Sequence, residues 1–122
     1  MAAQLKLLED LAAQVNQRRP VLVEQYFTED FRLDDAGAGI VLRGYAGAQK
    51  MIGDVLKLAP DFRYDMLDAV EAGDRVAVRW RITGTGPDGA IDVAMLAMYR
   101  FADGRIAEDW GIWSGKPWLT DR

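Results

Sequence analysis

The stretch AGDRVAVRWRITGTG, residues 72–86, decides the fold. Val76, Val78, Trp80 and Ile82 alternate with Ala77, Arg79 and Arg81, the period of two that gives a β-strand one apolar and one polar face. Upstream, Ala72-Gly73-Asp74 turns the chain back onto a strand in which Phe62, Tyr64, Met66 and Val70 alternate in the same way. Downstream, Pro87-Asp88-Gly89 turns it into a long strand from Ile91 to Phe101. Ala102-Asp103-Gly104 then opens a last strand from about Ile106 to Ser114. The chain after Pro60 therefore reads as consecutive hairpin-linked strands.

Before Pro60 the period is helical. Leu5, Leu8, Leu11, Ala12 and Val15 lie on one face of an opening helix that Arg18-Arg19-Pro20 breaks. Pro20 suits the first turn of a short second helix with Val23, Tyr26 and Phe27 on its buried side. Phe31 to Asp34 reads as a short strand, followed by a turn at AGAG, residues 36–39. A third helix from about Tyr45 to Ala59 presents Ala48, Met51, Ile52, Val55 and Leu56 on one side. The expected fold is α+β, with three helices on the N-terminal side and an antiparallel sheet. Long, twisted strands curl, and helices laid across the concave side leave a cavity at the open end. No repeat or linker divides residues 1–122, so one domain is expected.

Composition narrows the chemistry. The chain has no cysteine and no histidine. Disulfides, thiolate metal sites, serine triads with a histidine base and most zinc sites are thereby excluded. Proton transfer must rely on Asp, Glu, Tyr, Lys or bound water. Net charge is −4, and the fifteen Lys and Arg are scattered, which argues against nucleic acid and anionic membranes as partners. No apolar run reaches membrane-spanning length and the N-terminus lacks a signal-peptide core, so a cytoplasmic setting is expected. The glycines of AGAG lack the Lys-Ser/Thr of a phosphate-binding loop; no metal and no cofactor is expected.

DGRIAEDWGIWS, residues 103–114, carries the candidate site. Strict alternation places Ala107, Asp109, Gly111 and Trp113 on one face of the strand, with Ile106, Glu108, Trp110 and Ile112 on the other. Two arrangements are open at this stage. Asp109 faces water while the Ile/Trp face forms core, or Asp109 faces a cavity whose wall is Ala, Gly and Trp113. In an apolar cavity without a cation, desolvation would raise the carboxyl's pKa toward a range useful for proton transfer.

The residues YFTEDFRLDD at 26–35, Arg43-Gly44 opening the third helix, AGDRVAVRWRITGTG at 72–86 and YRFADGRIAEDW at 99–110 resemble the nuclear-transport-factor-2-like superfamily. Within it they resemble the SnoaL-like polyketide cyclase-related domains. The resemblance covers essentially the whole chain and implies a cone-shaped curved sheet wrapped around the helices. It also implies that Asp109, the acid just before the tryptophan of the EDW segment, is the acid/base group of a pocket. Asp34 matches the residue that often points into the same pocket, and Asp35 matches the general base of ketosteroid isomerases. The two oxyanion donors of those isomerases fall near Ala97 and Leu11, neither of which can donate. Trp113, Trp80, Tyr99, Met51, Val55 and Tyr26 are the candidate ligand-contacting residues.

The implied function is cofactor-free carboxylate chemistry of cyclase, isomerase or dehydratase type on a small, apolar, carbonyl-containing molecule. The alternative is a non-catalytic ligand-binding or dimerisation module of the same fold, in which there is no turnover to find. Both faces of the strand Ile91–Phe101 are apolar, so a homodimer through the outer sheet face is expected as well.

Overall fold

The structure, a computed structural model, describes residues 2–35 and 39–113. Helix α1 (Ala2–Asn16) is followed by the single turn α2 (Val23–Tyr26), then strands β1 (Phe27–Asp35) and β2 (Ile40–Arg43), and helix α3 (Gly44–Leu58). Strands β3 (Arg63–Ala72), β4 (Arg75–Gly86), β5 (Gly89–Ala102) and β6 (Arg105–Trp113) complete the described chain. The six strands form one curved, unclosed sheet in the order β2-β1-β6-β5-β4-β3. Helix α1 packs against β3 and α3 against β1 and β2, which gives the α+β architecture read from the sequence.

The alternation of β4 holds without exception: Val76, Val78, Trp80 and Ile82 are all buried on the concave face. Met95, Ala97, Tyr99 and Phe101 of β5 lie beside them. The hairpin between β5 and β6 turns on Asp103 and Gly104, both at positive φ (53° and 76°). That is the geometry of the two-residue turn for which an Asp-Gly pair is selected.

Three features depart from the sequence reading. Phe27 is the first residue of β1, not part of α2, and β2 escaped notice because it has only four residues. The pairing of β1 with β6 is parallel, so one ladder of an otherwise antiparallel sheet has the opposite sense. Register shifts also break the strict period at three places, one of them in β1 between Phe27 and Arg32. In β3 the register passes from Met66↔Trp80 to Asp68↔Arg79, leaving Leu67 as the extra residue. Val70 is thereby turned outward, 71% exposed, and Ala69 packs on the core in its place. In β6 the register passes from Glu108↔Arg100 to Ile106↔Phe101, and Ala107 is the extra residue. The turn expected at residues 36–39 lies mostly outside the described residues.

Helix α1 is tied to the edge of the sheet by one side chain. Asn16 Nδ2 donates to the Tyr64 carbonyl (2.7 Å), and the Tyr64 N–H donates to Asn16 Oδ1 (2.8 Å). The amide thus takes the place of a neighbouring strand at one residue of β3. Arg18, at φ 60°, adds a bond from its Nε to the Pro60 carbonyl (2.7 Å).

Two glycines of α3 make the packing testable. A Cβ at Gly47 would sit 2.9 Å from the carbonyl carbon of Leu42 and 3.1 Å from its Cβ, whereas one at Gly53 meets nothing within 4 Å. Gly47→Ala should lose about 1–3 kcal/mol through overpacking of α3 on β2. Gly53→Ala should gain about 0.4–1 kcal/mol by restricting the unfolded chain. Urea unfolding of the two variants beside the parent reads out this opposition of sign.

Candidate functional site

Between the helices and the concave face lies a cavity. Leu8, Leu11, Ala12 and Val15 of α1 form one wall, and Met51, Ile52 and Val55 of α3 another. The sheet side carries Phe27, Tyr64, Trp80, Tyr99, Ile106 and Asp109, with Phe62 just before β3. The space open to the centre of a water molecule is about 50 Å³, several times the roughly 10–15 Å³ that one buried water needs on that measure. A cavity this apolar, with one carboxylate and two phenols converging in it, has the make-up of a small-molecule site.

Asp109 is 8% exposed, one of two buried polar residues among the described residues. Its neighbours across the ladders are Tyr99 on β5 and Leu33 on β1. The bulge at Ala107 sets its surroundings. Alternation alone would send Ile106 to the face opposite Asp109; the extra residue brings both to the cavity wall. This corrects the expected face of Ile106. Gly111, on the same side, leaves no gap: the Met95 sulfur lies 3.3 Å from where its Cβ would be.

The aromatic residues form a connected wall. Phe62 and Tyr64 meet edge to face at 4.5 Å, and Tyr64 lies 5.3 Å from Trp80 between ring centres. The Trp80 indole N–H donates to the Tyr99 hydroxyl at 2.8 Å. Burial, reinforced by the Asp109 carboxylate, pushes the phenol pKa values of Tyr64 and Tyr99 above the ordinary 10.0. For Tyr99, Tyr64 acts in the same direction and the Trp80 bond opposes it. Both phenols therefore stay protonated and serve as donors throughout the neutral range.

The other expected site residues divide. Met51, Val55, Trp80 and Tyr99 line the cavity. Tyr26 packs against the core without being part of the cavity wall. Asp34 is a correction. Leu33 stands opposite Asp109 and is buried, so the next residue projects to the other face, where Asp34 lies opposite Trp110. There it pairs with Arg32 at 3.2 Å. The side chains of Asp35 and Trp113 lie outside the described residues. Leu11 is in the cavity wall and Ala97 is fully buried on the concave face. Phe27, Phe62, Tyr64 and Ile106 were missed as wall residues. The alternation of Phe62 and Tyr64 was legible, but their convergence with Asp109 depends on how far the sheet curls. Among the described residues no cluster of acidic side chains has metal-binding spacing.

The shifted phenols carry a pH prediction. A folded-state pKa raised above the unfolded value contributes stability that is complete below about 10 and is lost as pH climbs through the folded-state values. Spectrophotometric titration should show a class of tyrosines that ionises late, together with alkaline unfolding. Asp109→Asn, by removing the neighbouring negative charge, should move that late class downward.

With this geometry established, comparison with known proteins places the chain. Residues 8–109 match the SnoaL-like domain family. No curated protein sequence matches the chain significantly. Among solved structures, IdmH from Streptomyces antibioticus, a proposed polyketide cyclase, superposes with a TM-score of 0.78 at 24% identity, covering 91% of both chains. A protein of ketosteroid-isomerase-like fold from Catenulispora acidiphila, in complex with trimethylamine, gives 0.79 at 18% identity over 88% of this chain and 85% of its own. Bal32a, from a soil-derived mobile gene cassette, gives 0.82 at 16% identity over 92% and 89%. At such identities the structures establish the shared fold, and with the sequence match the conclusion is that this chain belongs to the SnoaL-like domain family.

Proposed function

We propose that this SnoaL-like protein binds a small apolar carbonyl compound and performs cofactor-free acid/base chemistry on it, of cyclase, isomerase or dehydratase type. The observation that carries the proposal is the burial of Asp109 in the wall of an otherwise apolar and aromatic cavity. The proposed cyclase activity of IdmH and the small molecule held by the Catenulispora protein are in keeping with it.

In this mechanism the Asp109 carboxylate takes a proton from a carbon beside the carbonyl. The C–H electron pair forms the C=C bond of an enolate, and the carbonyl π pair moves onto oxygen. The enolate carbon then attacks, is reprotonated elsewhere by the Asp109 carboxylic acid, or expels a leaving group. A carboxylate is a weak base, so the carbon acid must be activated by more than one carbonyl. Water is kept from the enolate by the walls from α1 and α3. Asp34, on the opposite face with Arg32, takes no part.

Ethyl 2-oxocyclopentane-1-carboxylate in D₂O tests this reading, because its activated C–H exchanges measurably by NMR. The protein should accelerate exchange, and Asp109→Asn should remove about 10²-fold or more of the acceleration while circular dichroism shows the fold intact. Binding of this ester without accelerated exchange would instead identify a binding module.

We also propose a homodimer through the outer face. Leu96 and Ile112 are direct cross-strand partners, 56% and 69% exposed. Met98 stands opposite Trp110 on one side and Ala77 on the other, and Val70 follows on β3. This apolar patch spans four strands, and the pairs Arg79–Asp68 and Arg100–Glu108 lie on the outer face beside it. Patches of this kind mark association surfaces. Leu96→Arg with Ile112→Arg should convert a dimer to a monomer in sedimentation equilibrium; a parent chain that sediments as a monomer removes the proposal.

A further inference from the structure

The isomerase-type donor positions are apolar in this chain, yet an enolate oxygen buried among aromatic rings needs a donor. The cavity contains one that comes from a different place. Tyr99 is two residues beyond Ala97 on the same face of β5, buried, and directly opposite Asp109 in the ladder. Its hydroxyl already accepts the Trp80 indole N–H at 2.8 Å. Trp80 can only donate, so its bond occupies an acceptor site of the hydroxyl and leaves the phenolic proton to another acceptor. Tyr99 forms part of the cavity wall, so its hydroxyl can donate to an acceptor on a molecule inside it.

We propose that Tyr99 is the group that binds and polarises the substrate's carbonyl oxygen, with Trp80 as the positioning residue that fixes the direction of its O–H. The proposal rests on the acid/base reading of the same cavity and narrows its substrate class. The ligand must present a carbonyl or enol oxygen toward β4 and β5, and the carbon to be deprotonated toward β6. As Asp109 removes the proton, charge grows on that oxygen and the Tyr99 bond strengthens. The phenol keeps its proton throughout, so only the Asp109 carboxylate changes protonation state. Burial and the nearby carboxylate, which hold Tyr99 protonated, favour this division of roles. A tyrosine that was itself readily ionised would quench the developing enolate by proton transfer and then have to be reset.

The test uses 1-indanone labelled with ¹³C at the carbonyl, with binding followed calorimetrically and the carbonyl stretch by infrared difference spectroscopy. In the parent protein the bound stretch should lie at lower wavenumber than in hexane. Tyr99→Phe should return it to the hexane position and weaken binding by about tenfold, the scale of one hydrogen bond. Trp80→Phe keeps the phenol and an aromatic wall but frees the hydroxyl to rotate; a smaller and broader shift is expected. If Tyr99→Phe does not fold, the Trp80→Phe spectrum alone decides, and an unchanged shift there overturns the proposal. A bound probe whose stretch is the same in parent and Tyr99→Phe overturns the role of Tyr99 and leaves the acid/base reading standing. If 1-indanone does not bind the parent up to its solubility limit, the carbonyl reading of the cavity fails, and this proposal with it.

Discussion

Strand β6 is held from both sides, antiparallel to β5 and parallel to β1, and its register against those neighbours controls everything at the centre of the molecule. A slip of one residue would exchange Asp109 for Trp110 on the concave face. Such a slip would put the largest side chain of the strand where the cavity is and the carboxylate in the apolar outer patch. The turn at Asp103-Gly104 fixes the register at one end. The bulge at Ala107 then adjusts it, so that Ile106 and Asp109 both line the cavity. Arg100 and Glu108, hydrogen-bonded directly across the ladder, mark the same register on the outer face.

From that placement the electrostatics follow. A carboxylate kept from water is costly unless its surroundings compensate. The cavity brings two phenols near it and holds both of them protonated. Burial first, and the nearby carboxylate second, keep these hydroxyls protonated. The result is a site with one group able to move a proton and others able only to donate a hydrogen bond. The aromatic contacts among Phe62, Tyr64 and Trp80 fix the wall that carries these groups, so their directions are established before any ligand enters.

Much of this was legible in the sequence, and the exceptions share one cause. The alternation of Val76, Val78, Trp80 and Ile82 and the Asp-Gly turn gave the sheet, because local rules suffice where pairing is regular. Asp109 was placed in the cavity by resemblance, since alternation alone left both faces open. Val70 and Ile106 were assigned to the wrong faces because a bulge is an irregularity of pairing between strands, and no pattern within one strand reports it. Asp34 failed for a related reason: its face depends on the parallel partner β6, which lies more than seventy residues away in sequence. The Trp80–Tyr99 bond was invisible because it joins two residues that each read as packing.

The Asn16 clamp has a consequence beyond holding a helix in place. Strand β3 is the outermost strand of the sheet, and a bare outer strand invites other chains to add to it indefinitely, the route to fibril growth. Asn16 occupies the peptide groups of Tyr64 with a side chain that cannot propagate a ladder. The bulge at Leu67 and the acids at 65, 68 and 71 interrupt the rest of that strand. At the opposite edge β2 has only four residues, too few to template a long addition. The molecule is thereby closed to open-ended polymerisation along its hydrogen-bonding direction. The association proposed through the flat of the sheet, by contrast, would be self-limiting.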